Sequence, residues 1–432
     1  MIKPEKIKSV DYLFNRIISE RIRDSMEPKY SLLMGAGCSV SSGIVAAKGV
    51  LDMLKSIAYL RELPSEDSDS PFLDLEYGNL VSFLQIWHNN NKNNTDFLKY
   101  IESQKDQVLD INEQFENANE QLKGYFEEVF YGIILKEYPD YKNATPLEKN
   151  KILEVLFRKY KDEIIQDMEY SYWFTKYSAA SEDIHSFLTE LMNNKNPSQA
   201  YILLADLFIN HMFSVAFTTN FDNLLGEALS LLGVRSKEIW FDTNAVDNTL
   251  SKTSPNIIKL HGDYMYNNTK NLSNETRNLS LSLQYQMENV LSKGGLIIIG
   301  YSGSDNSIMY TLEKLSQKYS FPLFWCEMEE KFSDGTIHWR TKHLIENSTN
   351  SYFVPIKNFD TLVEDLRNKY IRYAKLRTNR YGKQETKYKN MIYDEDYLKV
   401  ALQRLNTIIK NIIDQNFEIT NNISPVPPPD VD

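Results

Sequence analysis

The apolar positions of this chain fall into short continuous runs separated by longer stretches with helical spacing. The short runs are rich in β-branched and aromatic residues and carry little polar alternation, which is typical of strands that are buried on both faces of a parallel sheet. They are Tyr30–Met34, Phe213–Thr218, Glu238–Asp242, Ile257–Leu260, Leu296–Gly300, Leu323–Met328 and Tyr352–Ile356.

Helical spacing of apolar residues follows several of these runs. It is clearest in Asp11–Ser25, Val45–Tyr59, Asp222–Leu232 and Ser307–Lys318. Strands that alternate with helices predict an α/β fold with a Rossmann-like, mostly parallel sheet.

The composition of the chain changes between residues 60 and 210, where glycine is scarce and charged residues are frequent. This predicts a large helical insertion within a discontinuous Rossmann domain made of residues 1–59 and 211–358. Residues 359–420 again have helical spacing and predict C-terminal helices. Residues 421–432 form a proline-rich tail, for which an extended conformation is expected.

Charge and cysteine content narrow the function. The 432 residues contain 48 Lys and Arg against 59 Asp and Glu, for a net charge of -11. An acidic chain has no general attraction to nucleic acid, so direct nucleic-acid binding is not expected. Two cysteines cannot form a four-cysteine zinc site, and no metal site is expected. The N-terminus lacks the apolar core of a signal peptide, and no run reaches membrane-spanning length, which together predict a soluble cytoplasmic protein without membrane contact.

A glycine-rich turn, Gly35-Ala36-Gly37, follows the first predicted strand and precedes a predicted helix. Such a turn lets the backbone approach a pyrophosphate, with Ser39 and Ser42 as further donors. A tight structural turn would have the same sequence. The dehydrogenase pattern GxGxxG is broken by Val40, so hydride transfer is disfavoured.

Three more groups of polar residues follow predicted strands. Asn220 and Asp222, which flank Phe221, could bind a ribose hydroxyl, a water or a carboxamide, or could instead form a turn and a helix cap. His261 has the chemistry of a general base, although a single histidine is often structural. Beyond these, Gly300, Ser302 and Asp305 form a second glycine turn that could contact a ribose or adenine; Ser304 or Asp305 could equally cap the next helix.

Taken together, these segments resemble the sirtuin family. The family's GAGxSxxSGI motif is matched from Gly35 to Ile44, its TQNxD motif by residues 218–222 with Thr219 in place of Gln, its HG dipeptide by His261-Gly262, and its GxS by Gly300-Tyr301-Ser302. The resemblance covers roughly residues 30–44 and 213–308. It implies NAD binding by the glycine turns, by Phe221 and Asp222, and by Ser302 and Asp305.

Two departures separate this chain from the protein-deacylating sirtuins. Val45-Ala46-Ala47-Lys48 replaces the segment of Pro, Phe and Arg that follows SGI in those enzymes, and the four-cysteine zinc module is missing. The pattern resembles sirtuin-like NAD-cleaving effectors of bacterial anti-phage defence. This resemblance implies an NAD+ hydrolase with NAD+ as substrate, which yields nicotinamide and ADP-ribose.

The roles of the catalytic candidates follow from this chemistry. Breaking the bond between nicotinamide and ribose needs an oriented ribose, a water and an acceptor for its proton. We expect Asn220 to orient water and ribose, His261 to accept the proton, and Asp222 with the Phe221 backbone to hold the carboxamide.

Partners follow from the resemblance alone. Effectors of this size resemble those encoded beside a HerA-like hexameric ATPase, with an Argonaute-type protein as the alternative, and a homo-oligomer is expected. Two other functions stay open: an NAD-dependent protein deacylase, and a non-catalytic module that senses NAD or ADP-ribose.

Overall fold

The structure is a computed structural model. It describes residues 2–23, 27–63, 80–108, 120–177, 187, 189–240, 250–251, 254–261 and 281–381.

A seven-stranded sheet forms the centre of the described chain, with the order β3-β4-β2-β1-β5-β6-β7. All of its strand pairs are parallel, which confirms the predicted α/β Rossmann-like fold. Each predicted strand is present, with ends shifted by no more than a few residues. The strands are β1 Tyr30–Met34, β2 Val215–Thr218, β3 Lys237–Trp240, β4 Asn256–Lys259, β5 Gly295–Ile299, β6 Leu323–Met328 and β7 Ser351–Ile356.

Helices cover both faces of this sheet. The described helices are α1 Val10–Arg23, α2 Ala47–Glu62, α3 Leu80–Asn91, α4 Thr95–Val108, α5 Glu120–Val129, α6 Tyr131–Glu137, α7 Pro146–Lys159, α8 Lys161–Tyr177, α9 Gln199–Ile209, α10 Leu224–Leu231, α11 Leu281–Leu291, α12 Asn306–Lys318, α13 Glu329–Asp334, α14 Trp339–Asn347 and α15 Phe359–Tyr381.

The glycine turn precedes a helix, as predicted, but the two are not directly connected. Two 3-10 turns, Ala36–Cys38 and Val40–Ser42, lie between the glycine turn and α2. Any amide donors near Gly35 therefore belong to these short turns and not to the N-terminus of an α-helix.

The core has two layers, one on each face of the sheet. Alternate residues of each strand point to opposite faces, so Leu32 and Met34 pack against the side covered by α1, α2, α9, α10 and α15, whereas Leu33 packs against α11, α12 and α14. Because all five residues of β1 are buried, the central strand contributes to both layers.

In the segment predicted as a helical insertion, residues 60–210, the described regular elements are all helices, joined by short turns and loops. Its helices contribute to two hydrophobic clusters. Leu84 of α3 and Trp173 of α8 join the core layer that contains α2, while Phe126, Phe130 and Phe157 form a separate cluster closed by Trp339 of α14. The boundaries of a separate insertion domain stay a prediction.

Two residues separate β7 from helix α15, which begins at Phe359 and lies within the predicted C-terminal helical region. The later part of that region and the proline-rich tail lie outside the described residues. Among the described helices, none combines the length and apolar character that a membrane span requires.

Candidate active site at the carboxyl ends of the central strands

The predicted site residues meet at one edge of the sheet. From β1 the chain continues to β2 on one side, and β5 pairs with β1 on the other, so the strand order changes direction next to β1. Ligands of open α/β sheets bind in the crevice at such a switch point, beyond the carboxyl ends of the strands. The segments that leave these ends are Gly35–Ser42 after β1, Thr219–Asp222 after β2, His261 after β4 and Gly300–Asp305 after β5.

The two glycine turns pack directly against each other. The Gly35 amide donates to Ile299 O at 3.0 Å, and the Gly37 amide donates to Gly300 O at 2.9 Å. A Cβ atom added to Gly35 would lie 2.5 Å from Gly300 O, and one added to Gly37 would lie 2.8 Å from Gly300 Cα. These glycines are therefore needed for the contact between the two turns.

Other amides of the first turn have no such contacts. Within the described chain the amides of Ala36, Val40 and Ser41 donate to no backbone carbonyl, and they lie at the beginnings of the two 3-10 turns. They have the chemistry of anion donors. The Ser42 hydroxyl instead accepts a hydrogen bond from the Ser198 amide at 2.9 Å, which ties the turn to the loop before α9.

Asn220 is buried and held from several directions. Its Nδ2 donates to Gly35 O at 3.1 Å and to Ser39 Oγ at 3.0 Å, while its backbone amide donates to Thr218 Oγ1 at 3.0 Å. Its Oδ1 is buried and has no hydrogen-bond partner in the described part of the chain. Because an unpaired buried acceptor costs about 1–3 kcal/mol, this oxygen is suited to receive a donor from a ligand or water.

The Ser39 hydroxyl connects Asn220 to two further residues. It donates to Asp222 Oδ2 at 2.7 Å and lies 3.0 Å from the Tyr201 hydroxyl. Since Ser39 gives its proton to Asp222, the Tyr201 hydroxyl is the donor in their contact. Burial, together with the nearby charge of Asp222, raises the pKa of Tyr201 well above its usual value, so the phenol keeps this proton.

Tyr201 was missed in the sequence because it lies on α9, outside every motif. Its position in a continuous apolar stretch of that helix predicts simple packing, and its ring does pack against Phe359 at 5.3 Å between centroids.

Both carboxylate oxygens of Asp222 are hydrogen-bonded within the protein. Its Oδ1 accepts from the Leu224 amide at 3.2 Å, at the beginning of α10, and its Oδ2 accepts from Ser39. The turn that carries it is fixed by Lys259, a buried residue whose ammonium donates to Asp222 O at 2.6 Å and to Phe221 O at 3.4 Å. Lys259 was also missed, although a lysine within an otherwise apolar strand was a signal.

His261 lies beside Asp305, which belongs to the second glycine turn. His261 Nε2 and Asp305 Oδ2 are 2.8 Å apart, and the two side chains are 13% and 15% exposed. The two atoms are close enough for a hydrogen bond or, when the imidazole is protonated, an ion pair. The ring of Phe221 lies 6.5 Å from the imidazole, between centroids.

Asp305 also caps α12. Its Oδ1 accepts from the Ile308 amide at 3.0 Å and from the Ser307 hydroxyl at 2.7 Å. Burial acts to raise the pKa of Asp305, but the interaction with His261 and these hydrogen bonds outweigh it and hold the pKa below its usual value. Asp305 is therefore an anion at neutral pH.

The remaining predicted residue of this turn, Ser302, is exposed, and its hydroxyl lies 2.8 Å from that of Ser304. Gly262, which completes the HG dipeptide, lies outside the described residues. Among the residues that the structure describes, no group of three or more His, Cys, Asp or Glu side chains is placed to hold a metal ion.

Comparison with protein families gives one match: residues 214–346 match the model of the SIR2-like domain. This segment contains Asn220, Asp222, His261 and the second glycine turn, and it supports a sirtuin-like protein with an NAD-related function. No curated protein matches the chain.

Proposed function

We propose that this protein is an NAD+ hydrolase that releases nicotinamide and ADP-ribose. The observation that carries the proposal is Asn220, whose side chain is locked by two hydrogen bonds while its buried Oδ1 has no partner. A residue held in this way is preorganised to accept a hydrogen bond from a ribose hydroxyl or a water.

The residues around Asn220 fit an NAD+ molecule. The amides of Ala36, Val40 and Ser41 can donate to the pyrophosphate, and the exposed hydroxyl of Ser302 can contact a ribose. Phe221 and Asp222 follow Asn220 in the chain. The Phe221 ring provides an aromatic face, and Asp222 provides an acceptor for a carboxamide.

The reaction follows from this arrangement. The bond between C1′ and the nicotinamide nitrogen breaks, and its electron pair goes to the nicotinamide, which leaves as a neutral molecule. A water oxygen bonds to C1′, and His261 accepts the water proton and later releases it to solvent. The overall products are nicotinamide, ADP-ribose and one proton.

The broader role that we propose is an abortive-infection effector of anti-phage defence. We propose that it acts in the cytoplasm, forms a homo-oligomer, and is activated by or assembled with a HerA-like ATPase, with an Argonaute-type protein as the alternative partner. The support is the resemblance of the motifs and the long helical segment in place of a zinc module. This is a fold-level analogy, which is weaker support than the site itself.

A protein deacylase and a non-catalytic NAD sensor are the competing functions. The presence of only two cysteines in the chain argues against the zinc module of deacylases. The locked Asn220 and the paired His261 argue against a sensor, which needs binding groups but no proton acceptor.

One experiment separates the three functions. The full chain is incubated with NAD+ alone and with NAD+ plus an acetylated peptide, and the products are separated by chromatography. The hydrolase releases free ADP-ribose without peptide. Acetyl-ADP-ribose formed only with peptide would identify a deacylase, and binding without turnover, in every assembly state, would identify a sensor.

A further inference from the structure

We propose that Asp305 is a positioning residue for His261: it holds the imidazole at the carboxyl end of β4 and stabilises the imidazolium that forms when His261 accepts a proton. This role rests on the proposed hydrolase function. It differs from the nucleotide contact that the sequence suggests for Asp305.

The geometry of Asp305 supports this role. One carboxylate oxygen, Oδ1, is occupied by the Ile308 amide and the Ser307 hydroxyl, so the beginning of α12 fixes the orientation of the side chain. The other oxygen, Oδ2, therefore points to one place, 2.8 Å from His261 Nε2. A carboxylate that is rigidly held at one end is suited to fix a partner at its other end.

The position and burial of Asp305 make a contact with ribose a weaker assignment for it than a contact with His261. The Asp305 side chain is 15% exposed and already contacts three groups of the protein. The exposed hydroxyl groups in the same turn belong to Ser302 and Ser304, and Ser302 is the one that matches the GxS motif. We therefore assign the nucleotide contact of this turn to Ser302 and the histidine contact to Asp305.

The chemical effect follows from the charge change during the reaction. When a water proton moves to His261, a neutral ring becomes a cation in a largely buried place. The Asp305 anion lies against this cation and offsets the cost of burying it, without accepting the proton itself. The benefit exists in the proton-transfer step and is small in the complex with NAD+.

The test is Asp305→Asn in the full chain, with kcat and KM for NAD+ measured by nicotinamide release. Asn caps a helix as well as Asp does, so α12 keeps its cap while the charge beside His261 is lost. We expect kcat to fall about 10- to 100-fold with KM within about twofold, as part of the roughly 10²- to 10⁴-fold that a general base contributes. Asp305→Ser, which also caps, should give the same pattern.

The matched control is Asp167→Asn. Asp167 forms a similar pair with His338, at 2.9 Å from its Nε2, outside the strand-end site. This variant should keep the wild-type kcat and KM, which shows that losing a His–carboxylate pair elsewhere does not matter.

The outcomes separate the two proposals. If the wild type releases no nicotinamide, the proposed function fails. If the wild type is active and Asp305→Asn keeps its kcat, or raises KM at constant kcat, the positioning role is overturned, and the second result identifies Asp305 as a nucleotide contact.

Discussion

Ser39 is the residue on which the arrangement of the site depends. Its hydroxyl donates to Asp222 and accepts from Asn220, with Tyr201 as a second donor, so all of its hydrogen-bonding capacity is used inside the protein. The sequence suggests that Ser39 contacts a phosphate, whereas the structure places it, buried, between Asn220 and Asp222. In the proposed hydrolase, the contribution of Ser39 to NAD+ binding is indirect, through the orientation of Asn220.

Removing the Tyr201 hydroxyl tests this network. Tyr201→Phe keeps the ring packed and deletes one buried hydrogen bond, worth about 0.5–1.5 kcal/mol. We expect kcat to fall about 2- to 10-fold, because Ser39 holds Asn220 less firmly, with little change in Tm. The measurement is nicotinamide release alongside thermal unfolding.

The control for this variant is Tyr370→Phe. Tyr370 is also a buried phenol, and its hydroxyl donates to Asn210 Oδ1 at 3.4 Å, away from the strand ends. Equal losses of kcat in the two variants would contradict a specific role for Tyr201.

The charge of Asp305 predicts a pH dependence of stability. Because its pKa is lowered in the folded protein, it contributes stability that is present above about pH 3.9, the usual value of Asp, and is lost as the pH falls through the folded-state pKa. The free energy of unfolding lost in Asp305→Asn should therefore be present above about pH 4 and shrink below it. Urea unfolding of both proteins across this range measures it; a loss that grows on acidification would contradict the assignment.

At the scale of elements, the contact between the two glycine turns joins the carboxyl ends of β1 and β5. Gly300 has a φ of +65° and its Cα faces the first turn, where a Cβ would lie 2.7 Å from the Cys38 amide nitrogen. Both the left-handed backbone and the close approach require glycine here. This contact sets the distance between the segment that carries Ser39 and the one that carries Asp305.

Gly300→Ala and Gly335→Ala separate these two requirements. Gly335 ends α13 with a φ of +70°, but no atom lies within 4 Å of a Cβ placed there. We expect Gly335→Ala to cost about 1 kcal/mol for the backbone conformation alone. Gly300→Ala should cost about 1–3 kcal/mol more because the turns must move apart.

Denaturant unfolding of both variants gives the comparison. Equal losses of unfolding free energy would show that the turns are not tightly packed.

Helix α12 connects the site to the long helical segment. Asp305 precedes it, and Arg340 of α14 binds Asn306 at 2.7 Å and Glu313 at 2.9 Å. The same guanidinium lies 3.4 Å from the carbonyl of Glu128 in α5. The beginning of α12 is thus fixed from one side by the active-site turn and from the other by the helical segment.

At the scale of the whole molecule, the spacing of apolar residues predicted more of the structure than the chemistry of individual side chains did. The runs around Leu33 and Ile298 were long and apolar enough to identify buried parallel strands, and parallel strands bring their carboxyl ends to one edge. The convergence of Asn220, His261 and the glycine turns follows from that topology.

What the sequence could not predict depends on contacts between distant segments. The contacts of Tyr201 and Lys259 were not predicted, because nothing local in the sequence shows that these side chains reach Ser39 and the Phe221–Asp222 backbone. The pair of Asp305 and His261 was not predicted either, because only the fold brings the two side chains together. These contacts therefore needed the structure, whereas the convergence of the motif segments at one edge of the sheet did not.

The central claim is that Asn220 and His261 hydrolyse NAD+. Its most direct test is the rate of nicotinamide release from NAD+ by the full chain, measured side by side for the wild type, Asn220→Ala and His261→Ala, with circular dichroism to confirm that all three are folded. We predict release by the wild type in equal amounts with ADP-ribose, and a loss of at least about 100-fold in each variant. Wild-type rates in both folded variants would contradict the account.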